Sequence, residues 1–92
     1  MEFEWDEEKR LANIAKHGID FQRARFLFDG RSLYDQKSDR FGEERVTSTG
    51  LLDGEFITAV WTQRGVKRRL ISVRRARHAE ERAHRELHGG RA

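Results

Sequence analysis

Arginines dominate the stretch of this sequence best suited to chemistry. Lys67-Arg68-Arg69-Leu70-Ile71-Ser72-Val73-Arg74-Arg75 sets basic residues on both sides of a short apolar centre. A guanidinium is planar, permanently charged and able to hold two phosphate oxygens at once. Arginines fixed on a strand therefore suit the binding of a phosphodiester and of the charge that builds on it under attack. Side chains alternate along a strand, which puts Arg68, Leu70, Ser72 and Arg74 on one face and Lys67, Arg69, Ile71, Val73 and Arg75 on the other. Ile71 and Val73 mark the second face as core, so Arg68, Ser72 and Arg74 are expected together on an open face. The alternative is that charges on an edge strand only block aggregation. Arg45 joins the patch if its strand lies across the hairpin from the arginine-rich one; otherwise it forms an ion pair with Glu43 or Glu44.

Two further groups carry titratable chemistry. Lys16 and His17 end a helical pattern, where positive charge complements the helix dipole; the imidazole, which titrates near neutrality, also suits a general acid or base. His84 and His88 stand four apart, as in a metal-binding pair, but no carboxylate follows at metalloprotease spacing, and no metal site is expected. There is no glycine-rich phosphate loop, nucleophile elbow or zinc finger, and no cofactor is expected. Trp5 and Trp61 are expected in the core rather than as base-stacking platforms.

The elements that must position these residues follow from periodicity. The 92 residues include no proline, so breaks are read from Gly, Asp and Asn. Phe3-Glu4-Trp5 reads as a first strand. Asp6 is an N-cap for a helix over 6–17, with Glu7 and Glu8 in its first turn, a stripe of Leu11, Ile14 and Ala15, and Gly18 as the C-cap glycine. Asp20 caps a second helix carrying Phe21, Ala24, Leu27 and Phe28 and ending at Asp29-Gly30, so the two form an N-terminal helical hairpin. The period then changes to two. Strands are expected at 32–35, 44–52, 55–62 and 66–74, with a polar loop at 36–43 and a hairpin turn at Asp53-Gly54. A last helix covers 76–87, and 89–92 form a flexible tail. The expected fold is α+β, one domain over 1–88: a mostly antiparallel sheet with an N-terminal helical hairpin on one face and a C-terminal helix.

Composition narrows the function. Charged residues make up 38% of the chain, the apolar set only 36%, and cysteine is absent, which excludes a disulfide framework. No apolar run approaches a membrane span, and the acidic opening Met1–Asp6 lacks the basic start of a signal peptide, so a cytoplasmic protein with no membrane partner is expected. The net charge of +3 is uneven: residues 1–46 carry −2 and residues 47–92 carry +5. A basic cluster on a small domain is the footprint of a polyanion binder.

Phe3-Glu4-Trp5-Asp6, Lys9, Asn13, Lys16-His17-Gly18, Phe21, Glu44-Arg45, the run Arg69–Ala76 and Glu81-Arg82 stand in the order and spacing of a known set. Over about residues 3–85 the chain resembles the BrnT family of bacterial type II toxins. The resemblance implies a RelE-like fold, ribosome-independent or loosely targeted RNA cleavage, and a small BrnA antitoxin with a ribbon-helix-helix DNA-binding part, encoded by an adjacent gene. It also implies a toxin–antitoxin complex that represses its own operon, with operator DNA contacted only through the antitoxin. Family members often carry a tyrosine where His84 stands, which makes His84 a possible acid/base in its place.

The expected function is thus an endoribonuclease toxin that cleaves RNA without a metal by attack of the 2′-hydroxyl on the adjacent phosphate. Arg45, Arg69 and Arg74 are the expected phosphate cations, Lys16 and His17 the acid/base candidates, and Arg68, Ser72 and Arg75 the RNA contacts. Strict alternation sets Arg69 opposite Arg74, so the two share a site only if Arg69 lies at a sheet edge or a bulge. The rival is a non-catalytic module that binds nucleic acid or protein through the same basic face.

Overall fold

The computed structural model describes residues Glu2–Gly89. The expected tail at 89–92 lies outside them apart from Gly89. Five strands form one mixed sheet in the order β1-β5-β4-β3-β2, with β1 at Glu2–Glu4, β2 at Tyr34–Arg40, β3 at Glu43–Leu52, β4 at Glu55–Arg64 and β5 at Lys67–Arg75. β2 to β5 are an antiparallel meander, whereas β1 runs parallel to β5, with Glu2 opposite Lys67 and Glu4 opposite Arg69. Among the described residues no helix is long and apolar enough to cross a membrane.

The expected N-terminal helical hairpin is not formed. One helix, α1 (Glu7–His17), follows β1; the next segment is a single α-turn, α2 (Phe21–Ala24), that tightens into a 3₁₀ turn over Arg25–Phe28. The spacing permits the tighter turn. Phe21, Ala24 and Leu27 recur every three residues, the 3₁₀ period, and all three are fully buried. The segment is a short apolar plug against the sheet, too short to run antiparallel beside α1.

The caps of α1 form as its sequence dictates. Asp6 accepts from the Glu8 and Lys9 N–H groups, and Gly18, at φ 70°, returns its N–H to the Ile14 carbonyl. The stripe does not: Leu11 is exposed, and the buried residue of α1 is Asn13. Its amide donates to the Ile19 and Val73 carbonyls, and its oxygen accepts the Val73 N–H at 3.1 Å. Asn13 therefore pairs the edge of β5 beyond the end of β1, as a further strand would.

β2 runs through the stretch expected to be a loop. It reaches Arg40 and turns at Phe41-Gly42, both at positive φ, as are Asp53-Gly54 between β3 and β4. Its polar composition misleads because β2 is an edge strand with six of its seven residues exposed.

The core lies on one face of the sheet. Ile19, Phe21, Ala24 and Leu27 pack on Leu52, Ile57, Ala59, Leu70 and Val73, with Trp5 and Trp61 against the cluster. The final helix, α3 (His78–Leu87), lies over β2 and β3 near the opposite, outer face.

Candidate nucleic-acid interface

A β-bulge decides which arginines share a face. Trp61 pairs with Leu70, but Val60 pairs with Ser72, so Ile71 is an extra residue without a partner on β4. The bulge shifts the alternation by one and lets Leu70 and Val73 both enter the core. Following the register across the sheet puts Arg69, Ser72 and Arg74 together on the outer face. The expectation that Arg69 and Arg74 point oppositely is thus corrected, as is the placing of Arg68 beside Ser72 and Arg74.

The outer face is organised in rows. Arg69 stands between Glu4 of β1 and Thr62 of β4, and Arg45 of β3, opposite Ser38, extends the same level. Thr62 donates its hydroxyl to the Glu44 carbonyl at 2.7 Å. The next row holds Ser72, Val60, Thr47 and Gln36, and the third Arg74, Thr58, Thr49 and Tyr34. At about 4.8 Å per strand, Arg69 and Arg45 sit roughly 10 Å apart at the backbone. Two guanidiniums on long arms can meet over one phosphate at that spacing.

Each of these arginines has a carboxylate, held to very different degrees. Arg74 donates both terminal nitrogens to Glu80 of α3 at 2.8 and 2.9 Å, with side-chain exposures of 16% and 9%. Glu80 also accepts from the Arg77 N–H and from Thr58, whose hydroxyl is shared with Thr49. Burial alone would raise the Glu80 carboxyl; these hydrogen bonds outweigh it and hold the group at about 2. Arg69 makes one bond, from Nη1 to Glu4 at 2.8 Å, with both side chains 30% exposed. Arg45 Nε lies 3.5 Å from Glu43, an ion pair without hydrogen-bond geometry. Of the three expected cations, Arg45 and Arg69 are available to a ligand and Arg74 is committed to the fold.

Lys16, His17 and Ser72 come together in a shallow cleft of about 250 Å³ between α1 and the bulge, which Lys9, Asn13 and Ile71 also line. Arg68 is on the core face, its guanidinium 4.1 Å from the Phe28 ring and 4.0 Å from Trp61. Its Nε is buried without a hydrogen-bond partner, and burial lowers its pKa. Arg75 is paired with Glu55 and lines a separate groove of about 710 Å³ under α3 with Phe56, His84, Arg85 and His88. His84 and His88 use Nε2 on the Ser32 and Leu33 carbonyls, and their rings meet at a tilt with centroids 4.7 Å apart. Phe56 is six residues along β4 from Thr62, about 20 Å, so His84 does not share the row of Arg45 and Arg69.

The sequence itself decides the family. The sequence model of the ribonuclease toxin BrnT, of type II toxin-antitoxin systems, matches residues 5–80. The chain belongs to the BrnT family. No curated protein matches it. Membership places the chain in a family of ribonuclease toxins and implies an antitoxin as partner. The span matched to BrnT includes Lys16, His17, Arg45, Arg69, Ser72 and Arg74 and stops short of His84. In this BrnT chain the carboxylates of the face, Glu4 and Glu43, are absent from the sequence-derived site. Glu4 had a signal: it alternates with Phe3 and Trp5, so a buried Phe3 obliges Glu4 to face outward. Nothing in the sequence marks Thr62 or the bulge.

Proposed function

We propose that this chain cleaves RNA on the outer face of its sheet, by attack of a ribose 2′-hydroxyl on the adjacent phosphate and without a metal ion. Arg45 and Arg69 carry the charge of the phosphorane, as preorganised cations on rigid strands. Arg74 acts at one remove, holding β5 to α3 through Glu80. Ser72 is a contact for the RNA backbone, and the cleft that joins it to Lys16 and His17 supplies acid/base groups beside the bulge. The single observation that supports this reading is the bulge at Ile71, which turns Arg69 to the face and level of Arg45. A BrnA-like antitoxin with a ribbon-helix-helix part covers or distorts the face, and operator DNA is contacted through it alone.

The test is incubation of the purified chain with a mixed-sequence RNA in EDTA. Fragments ending in a 2′,3′-cyclic phosphate are expected. Because each outer-face arginine already has a carboxylate, a binding-only module is the competing reading; RNA binding without cleavage would establish it.

A further inference from the structure

From the same outer face, and resting on the ribonuclease reading above, we propose that Glu4 is the general base that activates the 2′-hydroxyl. Four observations carry it. The parallel register sets Glu4 directly beside Arg69, on the face opposite Phe3 and the core. The carboxylate accepts from Arg69 Nη1 at 2.8 Å, a bond that aims it along the row toward Thr62 and Arg45. It is about one-third exposed, so it is reachable by a substrate, unlike Glu80, which is buried and bonded by Arg74, Arg77 and Thr58. Glu43, one row further along β3, divides itself between Arg45 and Arg64.

A single arginine that holds both the base and the phosphate brings the two reacting ends of one nucleotide together. With the phosphate on Arg69 and Arg45, the 2′-hydroxyl on the Arg69 side falls within reach of Glu4. Its proton passes to the Glu4 carboxylate as the 2′-oxygen bonds to phosphorus. The bond from phosphorus to the 5′-oxygen breaks, and that oxygen leaves with a proton from an acid on the opposite side or from water. The products are a 2′,3′-cyclic phosphate, a 5′-hydroxyl and a protonated Glu4 that returns its proton to solvent.

The experiment compares wild type, Glu4→Gln and Glu4→Asp, each as the full chain. The readouts are single-turnover cleavage of a mixed-sequence oligoribonucleotide, affinity for its uncleavable 2′-deoxy analogue, and melting temperature. Glu4→Gln keeps an acceptor for Arg69 but takes no proton. Its cleavage rate should fall about 10²–10⁴-fold at saturating RNA, while probe affinity and melting temperature stay within about twofold and a few degrees. Glu4→Asp should recover part of the rate. A substrate with a 5′-bridging sulfur, whose departure needs no proton, should leave the Glu4→Gln defect in place. Rescue by that substrate would make Glu4 the acid and overturn the assignment. Cleavage by Glu4→Gln within about threefold of wild type would also overturn it, and so would loss of probe binding together with a lower melting temperature. A wild-type chain that leaves the RNA intact instead removes the ribonuclease reading, and the base with it.

Discussion

Arg74 and Glu80 close a bidentate ion pair, at 2.8 and 2.9 Å, that ties the end of β5 to the first turn of α3 with both side chains almost out of solvent. This changes what a substitution at Arg74 does. Arg74→Ala leaves a buried carboxylate without its cation, a loss of about 3–5 kcal/mol in urea unfolding. The double variant Arg74→Met/Glu80→Leu should recover most of it, since a pair removed together leaves no orphaned charge. If Arg74→Ala unfolds at the wild-type urea concentration, the pair does not hold α3.

The same carboxylate makes stability depend on acid. Glu80 stands at about 2 in the folded chain against an ordinary 4.5. A depressed pKa stabilises the fold above the unfolded value, and the unfolded chain takes up the proton first as pH falls. Wild type should lose stability from about pH 4.5 down to about pH 2, and Glu80→Gln should lose less over that window. Asp29, held at about 2 mainly by its hydrogen bond from Arg31, adds little because it is exposed. Unfolding curves at steps of pH would check this; parallel profiles for the two proteins would refute it.

Arg45 gives the clearest separation of chemistry from fold. Its ion pair with Glu43 has no hydrogen-bond geometry, so Arg45→Ala should change stability by less than about 1 kcal/mol. Loss of one preorganised cation should lower RNA cleavage about 10²–10³-fold. Melting temperature and single-turnover cleavage measured on one preparation decide it, and full activity would move the site away from this row.

Arg68 should behave as a packing residue. Its guanidinium carbon sits in the corner between the near-perpendicular Phe28 and Trp61 rings, 4.1 and 4.0 Å from their centroids, which a compact lysine ammonium fills less well. Arg68→Lys should therefore cost about 1–2 kcal/mol in urea unfolding although charge is conserved. An unchanged midpoint would show that charge alone matters there.

Asn13→Ala should remove three hydrogen bonds and leave the Val73 N–H and carbonyl unpaired at the edge of β5. A loss of about 2–3 kcal/mol is expected, with faster hydrogen exchange at the Val73 amide. Exchange at the wild-type rate would mean that Asn13 does not seal that edge.

Local signals in the sequence were sufficient where one residue type dictates one geometry. Asp6 and Gly18 bound α1, Asp53-Gly54 turns the hairpin, and the β-branched run of β4 is a strand. Features set by distant partners were illegible. The pairing of β1 with β5 joins residues some sixty-five positions apart, and nothing in Phe3-Glu4-Trp5 announces a parallel neighbour. A bulge leaves no mark on composition, so alternation counted through Ile71 inverts Arg68 and Arg69. The structural role of Asn13 was illegible because it lies in the backbone of Val73. At Phe21–Leu27 an apolar spacing of three serves a helix and a 3₁₀ turn alike, and the sheet beneath decides between them.

The parallel contact between β1 and β5 also sets an order of events. Glu4 is made before Arg69, some sixty-five positions ahead of it, and such distant contacts form slowly because a long loop must close first. A nascent chain that ends before β5 has Arg45 and Thr62 but neither Arg69 nor a neighbour for β1. For a protein whose family destroys RNA, the consequence is temporal: the proposed cutting surface does not exist until β5 has been made and has met β1.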